Sequence, residues 1–163
     1  MEGNRASLLS SQEDLELEVV SSNVLAGTWV MSAVLSGFDH GKIGEIKLLS
    51  MKKGKSSFDL SMVIGVSGFI YAVATDLMRS LKNKASEKDN RIGYDELKSE
   101  IVKNREAILP IIRALKYMVA DNKARISEMR VNDVRLTKET INHDLYKQLK
   151  LDDFEHDNRK YLK

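Results

Sequence analysis

Residues 58–78 read FDLSMVIGVSGFIYAVATDLM, and the fold turns on how this stretch is read. No charge falls between Asp59 and Asp76. The polar members of that interval are Ser61, Ser67 and Thr75, and its glycines are Gly65 and Gly68. A segment apolar on nearly every face predicts a helix over Leu60–Thr75 that is buried on nearly every side. Gly65 and Gly68 are then assigned to helix packing, because they let a neighbouring backbone approach closely. A bilayer span is the other reading of 60–75. The uncharged run is 16 residues long, whereas a span needs about 20. Basic residues flank it on both sides (Lys52, Lys53 and Lys55 before, Arg79, Lys82 and Lys84 after), so no orientation bias appears. A core helix is the expectation, with membrane association through 60–75 kept as an alternative.

Upstream, Val24–Leu35 reads VLAGTWVMSAVL and predicts a second buried helix. Gly27 weakens it, and Gly37 suits its C-terminal stop. Residues 37–57 differ in kind. Gly37, Gly41, Gly44 and Gly54 punctuate a stretch carrying Lys42, Lys47, Lys52, Lys53 and Lys55. Ile46, Leu48, Leu49 and Met51 suit one short strand there; otherwise the stretch is a long loop. Leu15–Val19 alternates as a strand does, while Ser10 with Glu13 and Ser11 with Asp14 fit helix starts.

Downstream, Asp95–Asp121 carries apolar Leu97, Ile101, Ile108, Ile112, Leu115 and Val119 on one helical stripe. Pro110 either kinks that helix or starts a second one. Shorter helical patterns follow over Ala124–Met129 and Ile141–Leu151. Residues 1–10 read as a flexible lead and 152–163 as an exposed charged tail. The expected fold is mainly α: one domain over 1–163, a compact bundle of about five helices around Leu60–Thr75, with room for one small β element at 44–52 or 15–20.

Composition narrows the chemistry. The chain has no cysteine, which excludes disulfides, thiolate chemistry and sulfur-ligated zinc, and a reducing, cytoplasmic setting is the natural reading. Its 163 residues suffice for a core without such staples. The net charge of +2 decides little, but its layout is uneven. Residues 1–40 hold one basic and six acidic residues; residues 41–84 hold eight basic and three acidic ones. Opposite blocks of this kind can pair within a molecule or between neighbours.

No motif for catalysis emerges. The second half of 85–96 is similar to an EF-hand loop, with Ile92 at the eighth position and Glu96 at the twelfth. Ala85 and Asn90 stand where a carboxylate and a glycine are required, so no calcium site is expected. Gly54-Lys55-Ser56 is similar to the end of a phosphate loop, but Leu49 replaces its first glycine. His40, His143 and His156 are the only histidines. The pair His143-Asp144 lacks further ligands at metal-site spacing, so neither metal nor cofactor is expected. Serines lack the G-x-S-x-G context of a nucleophile.

The functional expectation is a non-enzymatic protein acting through protein–protein association, a homo-oligomeric structural or assembly subunit. The alternative is a nucleic-acid-associated protein that neutralises phosphates with Lys42, Lys47, Lys52, Lys53 and Lys55. Interleaved aromatics are missing from that stretch, so base stacking is not expected.

Overall fold

The computed structural model describes residues 11–82, 92–119 and 125–151. The lead at 1–10, the tail at 152–163 and most of the EF-hand-like stretch lie outside the described residues.

The chain is not a helical bundle. Among the described residues, five strands form one antiparallel sheet and five helices accompany it, so the fold is mixed α/β. The strands are β1 (Gln12–Ser21), β2 (Glu45–Lys53), β3 (Phe58–Ser67), β4 (Ile126–Val131) and β5 (Val134–Thr137). The helices are α1 (Val24–Asp39), α2 (Gly68–Lys82), α3 (Tyr94–Lys103), α4 (Arg105–Val119) and α5 (His143–Leu149). The sheet order is β2-β3-β1-β4-β5.

The single helix expected over Leu60–Thr75 is in fact the end of one strand and the start of one helix. The physical reason is a period of two. Phe58, Leu60, Met62, Ile64 and Val66 are buried, while Asp59, Ser61, Val63 and Ser67 are only half-buried on the other face. Val63 and Gly65 blur this alternation in the sequence, because neither is polar. The strand stops at Ser67, whose hydroxyl accepts from the Ile70 N–H at 3.2 Å and so supports the first turn of α2. Arg79 and Lys82 lie in the last turn of α2, where cations suit the helix dipole. Gly65 therefore belongs to a strand and not to a helix interface. A Cβ there would come 2.5 Å from Nε2 of Gln12 on β1.

Both proposed β elements are strands, and they are two of five. β1 pairs with β3 and β4, which makes it the central strand. Leu15, Leu17 and Val19 stand opposite Ile64, Met62 and Leu60 and share their buried face. Two further expectations are corrected. Ala124–Met129 is not helical: Ile126–Val131 is strand β4, paired to Ser21–Leu17 with an irregularity at Val20/Ser21. The long helix over 95–121 is two helices that break at Asn104, not at Pro110. Asn104 turns its side-chain amide back to the Glu100 carbonyl at 2.9 Å, and its own carbonyl accepts from Ala107 and Ile108. Pro110 sits inside α4, where it has no N–H to give the carbonyl of Glu106.

The helices cover one face of the sheet, and the core lies between the two layers. The other face is polar: Glu16, Glu18, Glu128, Arg130 and Arg135 project from β1, β4 and β5. No helix among the described residues is long and apolar enough to cross a membrane.

Candidate interaction surface

Helix α1 starts where β1 ends. The Asn23 side chain caps it, accepting from the Leu25 N–H at 2.8 Å, and Ser21 ties the junction to β4 by donating to the Arg125 carbonyl at 2.8 Å. The helix ends with Gly41 at φ +72°, while the Lys42 and Ile43 N–H groups donate to the Gly37 carbonyl. Between these ends α1 runs back over the sheet and packs along α4.

Two glycines set how deeply α1 sits. A side chain at Gly27 would collide with the ring of Phe58 on β3. A Cβ at Gly37 would stand 2.6 Å from the carbonyl oxygen of Glu106 on α4. Close approach at both ends buries Ala26, Val30, Ala33 and Val34. At the α4 side, Trp29 meets Tyr117 edge-on at 5.7 Å between ring centroids, and Arg113 donates to the Trp29 carbonyl at 3.2 Å. Ser36 donates to the Glu106 carboxylate at 3.0 Å, and His40 lies 3.6 Å from the same oxygen.

Trp29 marks the flank of α1 that faces α4. At 100° per residue, Val24, Met31, Leu35 and Phe38 fall on the opposite flank. Because α4 packs toward β4, this opposite flank lies on the side of β2, which α1 also touches. Strand β2 is the long edge of the sheet. Its Ile46, Leu48 and Met51 stand opposite Ile64, Met62 and Leu60 of β3, and so point to the helix side. The described helices leave Ile46 half-buried against the core and do not cover Leu48 and Met51. Leu35, Phe38, Leu48, Leu49 and Met51 each keep 48–53% of their surface exposed, save Leu48 at 47%. Two elements that adjoin therefore present apolar side chains to solvent on one side of the molecule. Surface of this kind marks contact sites in soluble proteins.

The expectation for Val24–Leu35 was a buried helix, and the observed helix is buried on one side. A weak signal for this is present in the sequence. Thr28, Ser32 and Ser36, spaced by four, draw a short polar line along α1, with Leu35 and Phe38 beside it.

The five lysines proposed as an anion site do not form one patch. Lys47 and Lys52 lie on the open sheet face, where Lys52 is opposite Asp59 of β3. Lys53 follows with the opposite orientation, beside Phe58. Lys42 and Lys55 stand at opposite ends of β2, a separation on the order of 30 Å for a nine-residue strand. Farther across the open face, on β1, β4 and β5, Arg130 reaches Glu16 at 3.3 Å and Glu18 at 3.6 Å, and Arg135 reaches Glu128 at 2.9 Å.

One cleft of about 400 Å³ opens beside Lys42, lined also by Gln12, Gly44, Ser67, Phe69 and Asn104. Among its described lining residues Lys42 is the one ionisable side chain. Among the described residues no three His, Asp or Glu side chains gather as a metal site would require. His143 and Asp144 lie on the first turn of α5, where Asn142 caps the helix by accepting from the Asp144 and Leu145 N–H groups. No protein-family model matches the chain, nor does any curated protein or solved structure.

Proposed function

We propose that this protein acts by association with another protein chain, through the surface where the outer flank of α1 meets strand β2, and that it carries no catalytic site of its own. The observation that supports the reading is the joint exposure of Leu35, Phe38, Leu48 and Met51 on adjoining elements. Removing such side chains from water favours association, against the freedom that two chains lose on binding. A structural or assembly role follows from a surface of this kind, and a cysteine-free chain suits the reducing cytoplasm where we place it.

The test is site-specific photo-cross-linking in cells that express the full chain. A photoreactive residue at Leu35 or Leu48 is expected to give a discrete adduct, with the partner identified by mass spectrometry. The same residue at Arg135, on the polar sheet face, is the control. Adducts no more frequent at 35 and 48 than at 135 would overturn the reading.

A further inference from the structure

We infer that the partner at this surface is a second copy of the chain, joined β2 to β2 in an antiparallel register that sets Glu45 opposite Lys52 and Ile46 opposite Met51. The inference rests on the association reading above and names its occupant.

The sheet has two edges. Strand β5 is four residues long and ends one side; β2 is nine residues long and offers its outer backbone groups along the other. Among the described residues that edge of β2 is unpaired, and an edge of that length is a template for strand addition. Lysines and bulges commonly protect such an edge, and β2 has both: Lys47, Lys52 and Lys53, and a register shift between Leu48 and Ser50. Protection alone does not account for Leu48, Leu49 and Met51, which are the residues an edge guarded against pairing would lack.

The bulge fixes which self-pairing is possible. Glu45, Lys47, Ser50 and Lys52 point to the open face, whereas Ile46, Leu48, Met51 and Lys53 point to the helix face. Facing residues of paired strands must share a face. Pairing two β2 strands so that the opposed residue numbers add to 97 satisfies this on both sides of the centre. Glu45 meets Lys52, Ile46 meets Met51, and Lys47 meets Ser50, each twice. A shift of one residue puts Ile46 opposite Lys52 and mixes the faces. A shift of two restores the faces but sets Lys47 against Lys52 twice. Of these registers, which pair most of the strand, only the first matches faces and also pairs opposite charges, and opposite-charge pairs directly across strands are favourable while like pairs are not. Lys47 and Lys52 thus keep the edge from wrong partners and wrong registers while admitting this one.

The symmetry carries the argument to α1. Antiparallel pairing of two identical strands places a two-fold axis normal to the sheet, so both helix layers lie on the same side. The flank of each α1 that bears Leu35 and Phe38 then faces its counterpart across Ile46, Leu48 and Met51 of both strands. The contact is self-complementary and closes as a dimer.

Light scattering on the full chain is the first measurement, with the expected mass near twice 18.4 kDa. The second uses two charge reversals, Glu45→Lys and Lys52→Glu, each checked for retained circular dichroism. Each variant alone is expected to dimerise at least tenfold more weakly, because it opposes two like-charge pairs. An equal mixture is expected to recover wild-type affinity, because the heterodimer restores both opposite-charge pairs. A monomer over the whole accessible concentration range overturns the second-copy inference, while adducts at Leu35 or Leu48 with a different protein would still uphold association. A dimer in which neither reversal changes the affinity, or in which the mixture gives no recovery, overturns the register.

Discussion

The ring of Phe58 on β3 fills the space that a side chain at position 27 of α1 would need. Helix and sheet meet through a glycine facing an aromatic, and the depth of α1 on the sheet follows from that pair. Gly27→Ala is therefore expected to destabilise the protein by about 1–3 kcal/mol, the usual cost of overpacking a filled site. Phe58→Leu removes the obstructing ring. In a double-mutant cycle by urea unfolding, the second change should offset part of the first, with a coupling of about 0.5–3 kcal/mol. Additive losses would show that Gly27 acts through backbone flexibility rather than through Phe58.

Gly37 and Gly41 lie four residues apart and fail for different reasons. A Cβ at Gly37 meets the carbonyl of Glu106, a backbone atom that cannot swing aside. A Cβ at Gly41 meets nothing, but its φ of +72° is costly for any L side chain. Gly37→Ala should lose roughly 1–3 kcal/mol by pushing α1 from α4. It should also change the near-ultraviolet signal of Trp29, which packs on Tyr117 across the same interface. Gly41→Ala should lose about 1 kcal/mol and leave that signal unchanged.

Asn132 joins β4 to β5 at φ 53° and accepts the Glu16 N–H on its side-chain oxygen at 2.9 Å. Asn132→Gly keeps the backbone shape and loses the hydrogen bond, for an expected cost of about 0.5–1.5 kcal/mol. Asn132→Ala loses the bond and adds backbone strain of about 1–2 kcal/mol. Denaturant midpoints should therefore fall in the order wild type, Gly, Ala. Reversal of the two variants would mean that the unfolded-chain freedom of glycine outweighs the strain of alanine at this φ.

Glu139 has its pKa held below the usual carboxylate range, first by hydrogen bonding to its own backbone N–H and then by the Thr137 hydroxyl. A depressed native pKa contributes stability that is present above the ordinary glutamate value. That contribution is lost as pH falls through the lowered one. A carboxyl titration followed by NMR should show a low midpoint for Glu139, and Thr137→Val should move it upward. An unchanged midpoint would assign the whole effect to the backbone.

Several features were legible in the sequence because they are local. The apolar stripe from Leu97 to Val119 made helices, whereas the alternation of Leu15–Val19 competed with helix-start signals until its pairing with β3 and β4 decided for β1. Gly37 suited the end of α1, which runs two residues past it to Asp39. The candidate surface was legible only in part: the stretch from Ile46 to Met51 suited either a short strand or a long loop, and nothing local shows that it is an edge. Leu48 and Met51 have the character of core residues, and they are exposed because no helix among the described residues covers that part of β2.

The stretch 58–78 shows where the division lies. By itself it determined that a long uncharged run must be covered, and it carried a period of two up to Ser67 that becomes helical beyond Gly68. Choosing between one buried helix and a strand followed by a helix required partners. Met62 is in place because Leu17 stands opposite it on β1, about forty residues earlier in the chain. Hydrophobicity is a property each residue carries along the chain, whereas strand pairing exists only between distant segments. The tertiary structure alone decided that β3 lies inside the sheet and β2 at its edge, and with that which apolar residues form the core and which face solvent.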